Sequence, residues 1–163
     1  MNMAMSKDKF KVSGDGVFYT LQGEGVSMGK PACFLRLHVC NLKCEWCDTR
    51  YTWDANTKEF WTEGKDWSIA ETKLKVESSW GCRNTIIPKR LVITGGEPLL
   101  QKEKIDLLLD KMPDWLIEIE TNGTVLPTVK MLERCQFNCS PKLGNTKKSQ
   151  NSKNKTRSFT NIK

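Results

Sequence analysis

The apolar positions change period several times along the chain, and each change marks an element. "PACFLRLHVC" (31–40) is an apolar strand that runs straight into a cysteine motif. Pro31 suits its entry, because proline lacks the donor that a central ladder requires. "KRLVITGGEP" (89–98) is a short Leu-Val-Ile run ending in a Gly-Gly turn. "DWLIEIETNG" (114–123) alternates Leu116, Ile117 and Ile119 with Glu118 and Glu120, and "CQFNCSPK" (135–142) is a weaker strand that ends at Pro141. "GVFYTLQGEG" (16–25) adds a further strand and turn.

Helical periods lie between these strands. Ser68 followed by Glu71 forms a capping box for a helix running to about Ser79. Beyond Pro98, the residues Ile105, Leu108, Leu109 and Met112 fall on one helical face. Pro127 can open a short helix through Met131 and Leu132. Strand and helix in alternation predict right-handed βαβ units around a parallel sheet. In such sheets the working residues gather beyond the carboxyl ends of the strands. The unusual residues of this chain all fall there. "YTWDANTKEFWTEGKDW" (51–67) has no clear period and reads as an ordered insertion near the site or as a plain surface loop.

A length of 163 residues favours one core. An apolar share of 38% and six Trp suffice to build it; the mean hydropathy of −0.52 leaves a polar surface. No run of ~18 apolar residues is present to span a membrane. The first sixteen residues lack the apolar segment and cleavage site of a secretory signal, so a cytoplasmic setting is expected. Thiols stay reduced there, and seven cysteines then point to metal or catalysis before disulfides.

The net charge of +7 is unevenly distributed. From Lys142 onward there are seven basic residues and no acids, so residues 1–141 hold 26 − 7 = 19 basic against 19 acidic residues. The body is neutral and the excess lies in the tail. The expected division is therefore a core domain over 1–141 and a basic polar tail over 142–163, too poor in apolar residues to offset the cost of ordering. Nucleic acid is not an expected partner, apart from a contact by that tail.

Cys40, Cys44 and Cys47 sit at spacings of four and three within "HVCNLKCEWCDT". Thiolates bind zinc or iron–sulfur clusters. A structural zinc site wants a second pair of ligands, for which Cys135 and Cys139 are the candidates. Three thiolates on a four-iron cluster instead leave one iron open, and an open position binds something small. His38, the sole histidine, reads as local packing, and Cys33 and Cys82 read as small buried thiols.

The spacing Cys-x3-Cys-x2-Cys together with "TGGEP" resembles the radical S-adenosylmethionine (SAM) superfamily. That resemblance implies a 4Fe-4S cluster whose open iron chelates SAM and cleaves it to methionine and a 5′-deoxyadenosyl radical. "FYTLQGEG", "FLRL", "CNLKCEWCDT", "VITGGEPLLQ", "IETNGT" and "SPKLGN" narrow it to the 7-carboxy-7-deazaguanine synthase family, over about residues 17 to 145. Its members contract 6-carboxy-5,6,7,8-tetrahydropterin to 7-carboxy-7-deazaguanine with loss of ammonia, for queuosine and related deazaguanines. The implied fold is a partial TIM-like barrel of parallel strands with crossover helices.

The resemblance implies the following site. Cys40, Cys44 and Cys47 ligate the cluster. Trp46, Cys47, Asp48, Gly96, Glu97 and the Ser140-Pro141-Lys142 turn line the SAM site. Leu21, Gln22, Gly23, Arg36 and Thr94 contact the substrate, with Glu24 a further polar contact. Thr49 binds Mg²⁺ beside the substrate. An Arg36 guanidinium suits the substrate carboxylate, and a Thr hydroxyl suits an oxygen-seeking cation. An external one-electron reductant of the flavodoxin or ferredoxin type and a homodimer are also implied. A glycyl-radical-enzyme activase of the same superfamily and a zinc-stabilised nucleic-acid-binding module are the alternative readings. Beyond "SPKLGN" the resemblance stops. The expectation is a shortened chain that binds its cluster weakly and turns over poorly.

Overall fold

The computed structural model describes residues 8–81, 86–142 and 146–148. Eight strands and four α-helices follow one another as β1 (Lys9–Leu21), β2 (Pro31–Leu37), β3 (Leu42–Cys44), α1 (Lys58–Glu63), β4 (Gly64–Ser68), α2 (Ile69–Trp80), β5 (Arg90–Gly95), α3 (Lys102–Lys111), β6 (Leu116–Thr121), α4 (Val129–Arg134), β7 (Cys135–Cys139) and β8 (Thr146–Lys148). The main sheet has six strands in the order β4-β1-β2-β5-β6-β7. The four strands expected to be parallel are so: β2 with β5, β5 with β6, and β6 with β7.

The sheet is nonetheless mixed. β1 runs antiparallel to both β2 and β4. It begins at Lys9, well before the stretch that reads as a strand, and carries a bulge between Val12 and Val17. The insertion over 51–67 is ordered, holding α1 and β4. Ser68 caps α2 by accepting from the Glu71 N–H at 3.1 Å, as the capping box predicts. α4 starts at Val129, one residue beyond its cap Thr128, so Pro127 lies outside the helix. The backbone of β8 pairs with β3, and 149–163 lie outside the described residues, as does Cys82.

Two faces of the parallel sheet differ sharply, because side chains alternate along each strand. One face carries Leu35, Ile93, Ile119 and Phe137 in register across β2, β5, β6 and β7. It packs on α2 and α3 through Val76, Trp80, Ile105, Leu108 and Leu109, all buried, which is the main core. On the opposite face, Phe18, Phe34, Val92, Glu118 and Gln136 form one cross-sheet row. The next row toward the strand ends pairs Arg36 with Thr94 and Glu120 with Asn138. One face is thus oil and the other increasingly polar toward the carboxyl ends. Among the described residues no helix is long and apolar enough to cross a membrane.

Candidate active site

The polar face opens into a cavity of about 480 Å³ at the carboxyl ends of β2, β5, β6 and β7. Cys40, Cys44 and Cys47 all line it, with Trp46, Asp48 and Thr49 from the same stretch. Arg36, Thr94 and Gly96 come from β2, β5 and the turn beyond it, and Ser140 and Lys142 from beyond β7. The Lys142 ammonium donates to the Ser140 hydroxyl at 2.8 Å. Glu24 lines the mouth from the loop after β1.

Of the other expected contacts, Gln22 and Glu97 are buried, whereas Leu21, Gly23 and Pro141 are exposed to solvent. Leu21, Gln22, Gly23, Glu97 and Pro141 do not line the cavity. Gln22 is 2% exposed, and its amide donates to Glu118 and Glu120, each at 3.2 Å. Its side-chain oxygen accepts from the Glu24 N–H at 3.2 Å. Gln22 therefore holds two lining residues in position. Glu97 is fully buried and accepts from the Leu99 N–H (3.0 Å), the Thr121 hydroxyl (2.8 Å) and the Asn122 N–H (2.8 Å). Its carboxylate ties the end of β5 to the end of β6, and burial pushes its pKa up.

The cysteine loop is held by the "TGGEPLLQ" stretch. The carbonyls of Leu37, His38 and Val39 accept from the Gly96 N–H, the Gln101 amide and the Glu97 N–H at 3.0, 3.0 and 2.9 Å. Gly95 sits at φ +121°, and a Cβ on Gly96 would lie 2.1 Å from the Val39 carbonyl oxygen. The two glycines are thus required by close backbone approach, before any ligand is considered. His38 is buried, with Nδ1 3.0 Å from the Ser13 hydroxyl and its ring against Phe60, so it packs as expected. Burial lowers its pKa.

Of the lining residues given no role by the sequence, Thr52 and Asn138 lie outside the family motifs, whereas Glu120 and Asn122 fall within "IETNGT". Asn122 is the most telling. Its side-chain NH₂ reaches the Cys40 sulfur at 4.0 Å and donates to the Asn41 side chain at 3.1 Å, while its oxygen accepts from the Thr124 N–H at 2.9 Å. Asn122 follows directly on β6, where strand-end chemistry is expected, and it lies within "IETNGT", so both its position and that motif signal it. Glu24 has its pKa raised by burial and by the adjacent Glu120 carboxylate.

The donor set fits a cluster better than one zinc ion. Cys135 and Cys139 stand at opposite ends of β7, about 13 Å apart at the usual strand rise, too far to share an ion. Among the described residues no three His, Cys, Asp or Glu side chains converge on a single-ion site. The Cys40 thiol is pushed up to about 12 by burial, with Glu97 and the other two thiols adding to it. A thiol as buried as that of Cys40 ionises when a strong cation joins it, as iron does in a cluster held by cysteine.

The model of the 4Fe-4S single cluster domain family matches residues 21–162. The chain belongs to that family. It is 35% identical over 135 residues to the 7-carboxy-7-deazaguanine synthase of Pyrobaculum aerophilum, covering 79% of this chain and 54% of that protein. The synthase of Rickettsia prowazekii is 36% identical over 145 residues, with 87% and 56% covered. The crystal structure of QueE from Escherichia coli superposes with a TM-score of 0.64 at 29% identity, covering 84% of this chain and 61% of that one. The likeness to 7-carboxy-7-deazaguanine synthases thus extends through sequence and fold. The chain spans about half the length of the synthases it matches.

Proposed function

We infer that the chain is a radical SAM lyase that converts 6-carboxy-5,6,7,8-tetrahydropterin to 7-carboxy-7-deazaguanine with loss of ammonia, in queuosine biosynthesis. One observation carries this reading: Cys40, Cys44, Cys47, Arg36 and Thr49 line a single cavity at the carboxyl ends of parallel strands. The sheet with helices on one face and polar residues on the other supports a partial barrel whose interior is the site. Relatives named as 7-carboxy-7-deazaguanine synthases support the substrate class.

Cys40, Cys44 and Cys47 would hold the cluster, which when bound supplies the electron that cleaves SAM to methionine and a 5′-deoxyadenosyl radical. Trp46, Asp48 and Gly96, which line the same cavity, take SAM together with the Ser140–Lys142 turn. Arg36 receives the substrate carboxylate, since a guanidinium donates two parallel N–H bonds to one carboxylate. Glu24 and Glu120 accept from the N–H donors on the pterin edge, with Gln22 holding both from behind. Thr49 offers a hydroxyl to Mg²⁺ beside the substrate carboxylate. An external one-electron reductant, a homodimer and a cytoplasmic setting complete the reading.

The test is anaerobic incubation of iron- and sulfide-loaded protein with SAM, dithionite and the carboxytetrahydropterin, followed by mass spectrometry. The expected result is a slow release of 7-carboxy-7-deazaguanine that Cys44→Ala abolishes. Cleavage of SAM without any deazaguanine would overturn the substrate assignment.

A further inference from the structure

Arg36 does not stand free in the cavity. Its guanidinium carbon lies 5.2 Å from the centre of the Phe18 ring, and that ring is stacked on Phe34 at 5.1 Å and 9°. Its Nη1 donates to the Tyr51 hydroxyl at 2.9 Å. A guanidinium has five N–H donors in one plane. The Phe18 ring beside Arg36 limits where the guanidinium can lie, and the single bond to Tyr51 sets its orientation there. Four donors are left in a set direction.

Tyr51 belongs to the 3-10 turn Arg50–Thr52, which Thr49 opens. Thr52 ties this turn back to Thr49, its N–H and its hydroxyl reaching the Thr49 carbonyl at 2.9 and 2.8 Å. Tyr51 therefore joins the arginine on β2 to the turn that carries Thr49, although it does not itself line the cavity.

We propose that Tyr51 is a positioning residue that aims the Arg36 guanidinium and so sets the preference of this site for carboxylated pterins. The proposal rests on the reading of Arg36 as the carboxylate receptor. A preorganised fork loses less entropy when a planar carboxylate docks. Without the tyrosine hydroxyl, the guanidinium keeps its charge and its ring contact but is free to reorient. Attraction to any anion survives, whereas the two-bond fit to a carboxylate is lost.

The test is equilibrium binding of two fluorescent probes, 6-carboxypterin and pterin without the carboxylate, to the full chain. Wild type should bind 6-carboxypterin the tighter. Tyr51→Phe should weaken 6-carboxypterin by about tenfold or more, the worth of one hydrogen bond to a charged group, and leave pterin unchanged. Arg36→Ala should abolish the difference between the probes, and adding Tyr51→Phe to it should change nothing further. If Tyr51→Phe weakens both probes equally, or adds its full effect to Arg36→Ala, the proposal is wrong. If wild type shows no preference for the carboxylated probe, the reading of Arg36 fails and the proposal with it. Should Tyr51→Phe prove unstable, Phe18→Leu removes the other constraint, and the same selective loss is expected.

Discussion

Glu97 donates its backbone N–H to the carbonyl of Val39 at 2.9 Å, and Val39 stands at φ 82°. A β-branched residue in that region is strained, and surrounding contacts must hold it there. The Gly96 and Gln101 bonds to Leu37 and His38 supply the rest of the grip. Cys40 is the next residue, so the direction in which the first thiol enters the cavity is fixed by the loop that closes β5.

Gly96→Ala follows from this contact. Its Cβ would meet backbone atoms of Val39 at 2.1 and 2.5 Å, with no flexible side chain to give way. The variant should lose about 3 kcal/mol or more of stability, and iron loading should drop with it. Val39→Gly relieves the positive φ while loosening the unfolded chain, and should stay within about 1 kcal/mol of wild type. Urea unfolding midpoints and iron content measure both.

The grip on the cysteine loop explains what was legible in the sequence and what was not. The parallel strands and the apolar face of α3 follow from periodicity, because Ile105, Leu108, Leu109 and Met112 answer to a single buried face. The three cysteines announce themselves by spacing. Gln22 and Glu97 are different: their side chains satisfy buried partners on β6 and in neighbouring loops, a role that depends on residues 24 to 98 positions away. The antiparallel start of β1 and the strand β4 also escape a local reading. Lys9 to Ser13 form a strand largely because they find Gly64 to Ser68 across the sheet.

Glu97 makes stability depend on pH. Burial raises its pKa above the ordinary 4.5, so the folded state holds the proton more tightly than the unfolded state. Its contribution is full below about pH 4.5 and declines as pH rises through the folded value. Glu97→Gln removes this decline. It also leaves one N–H or hydroxyl donor unpaired, at a cost of about 1–3 kcal/mol. Urea unfolding between pH 5 and 8 should show the wild type losing stability relative to the variant as pH rises; parallel curves would contradict the assignment.

Glu118, 1% exposed, anchors the loop after β1 to the sheet. It pairs with Arg90 and accepts from the Ser27 hydroxyl at 2.6 Å and from the Gln22 and Asn138 amides at 3.2 and 3.4 Å. Arg90→Met strands this carboxylate without its cation and should cost about 3–5 kcal/mol. Arg90→Met combined with Glu118→Gln should recover much of the loss. Thermal unfolding of the three variants checks the order.

The central claim is that Cys40, Cys44 and Cys47 hold a cluster with one iron left for SAM. Anaerobic reconstitution followed by electron paramagnetic resonance of the reduced protein, with and without SAM, tests it most directly. The expected result is about four iron atoms per chain on the three thiolates, a reduced-cluster signal that SAM shifts, and loss of both in Cys40→Ala. Retention of one zinc per chain with no iron signal, or a cluster signal indifferent to SAM, would contradict the account.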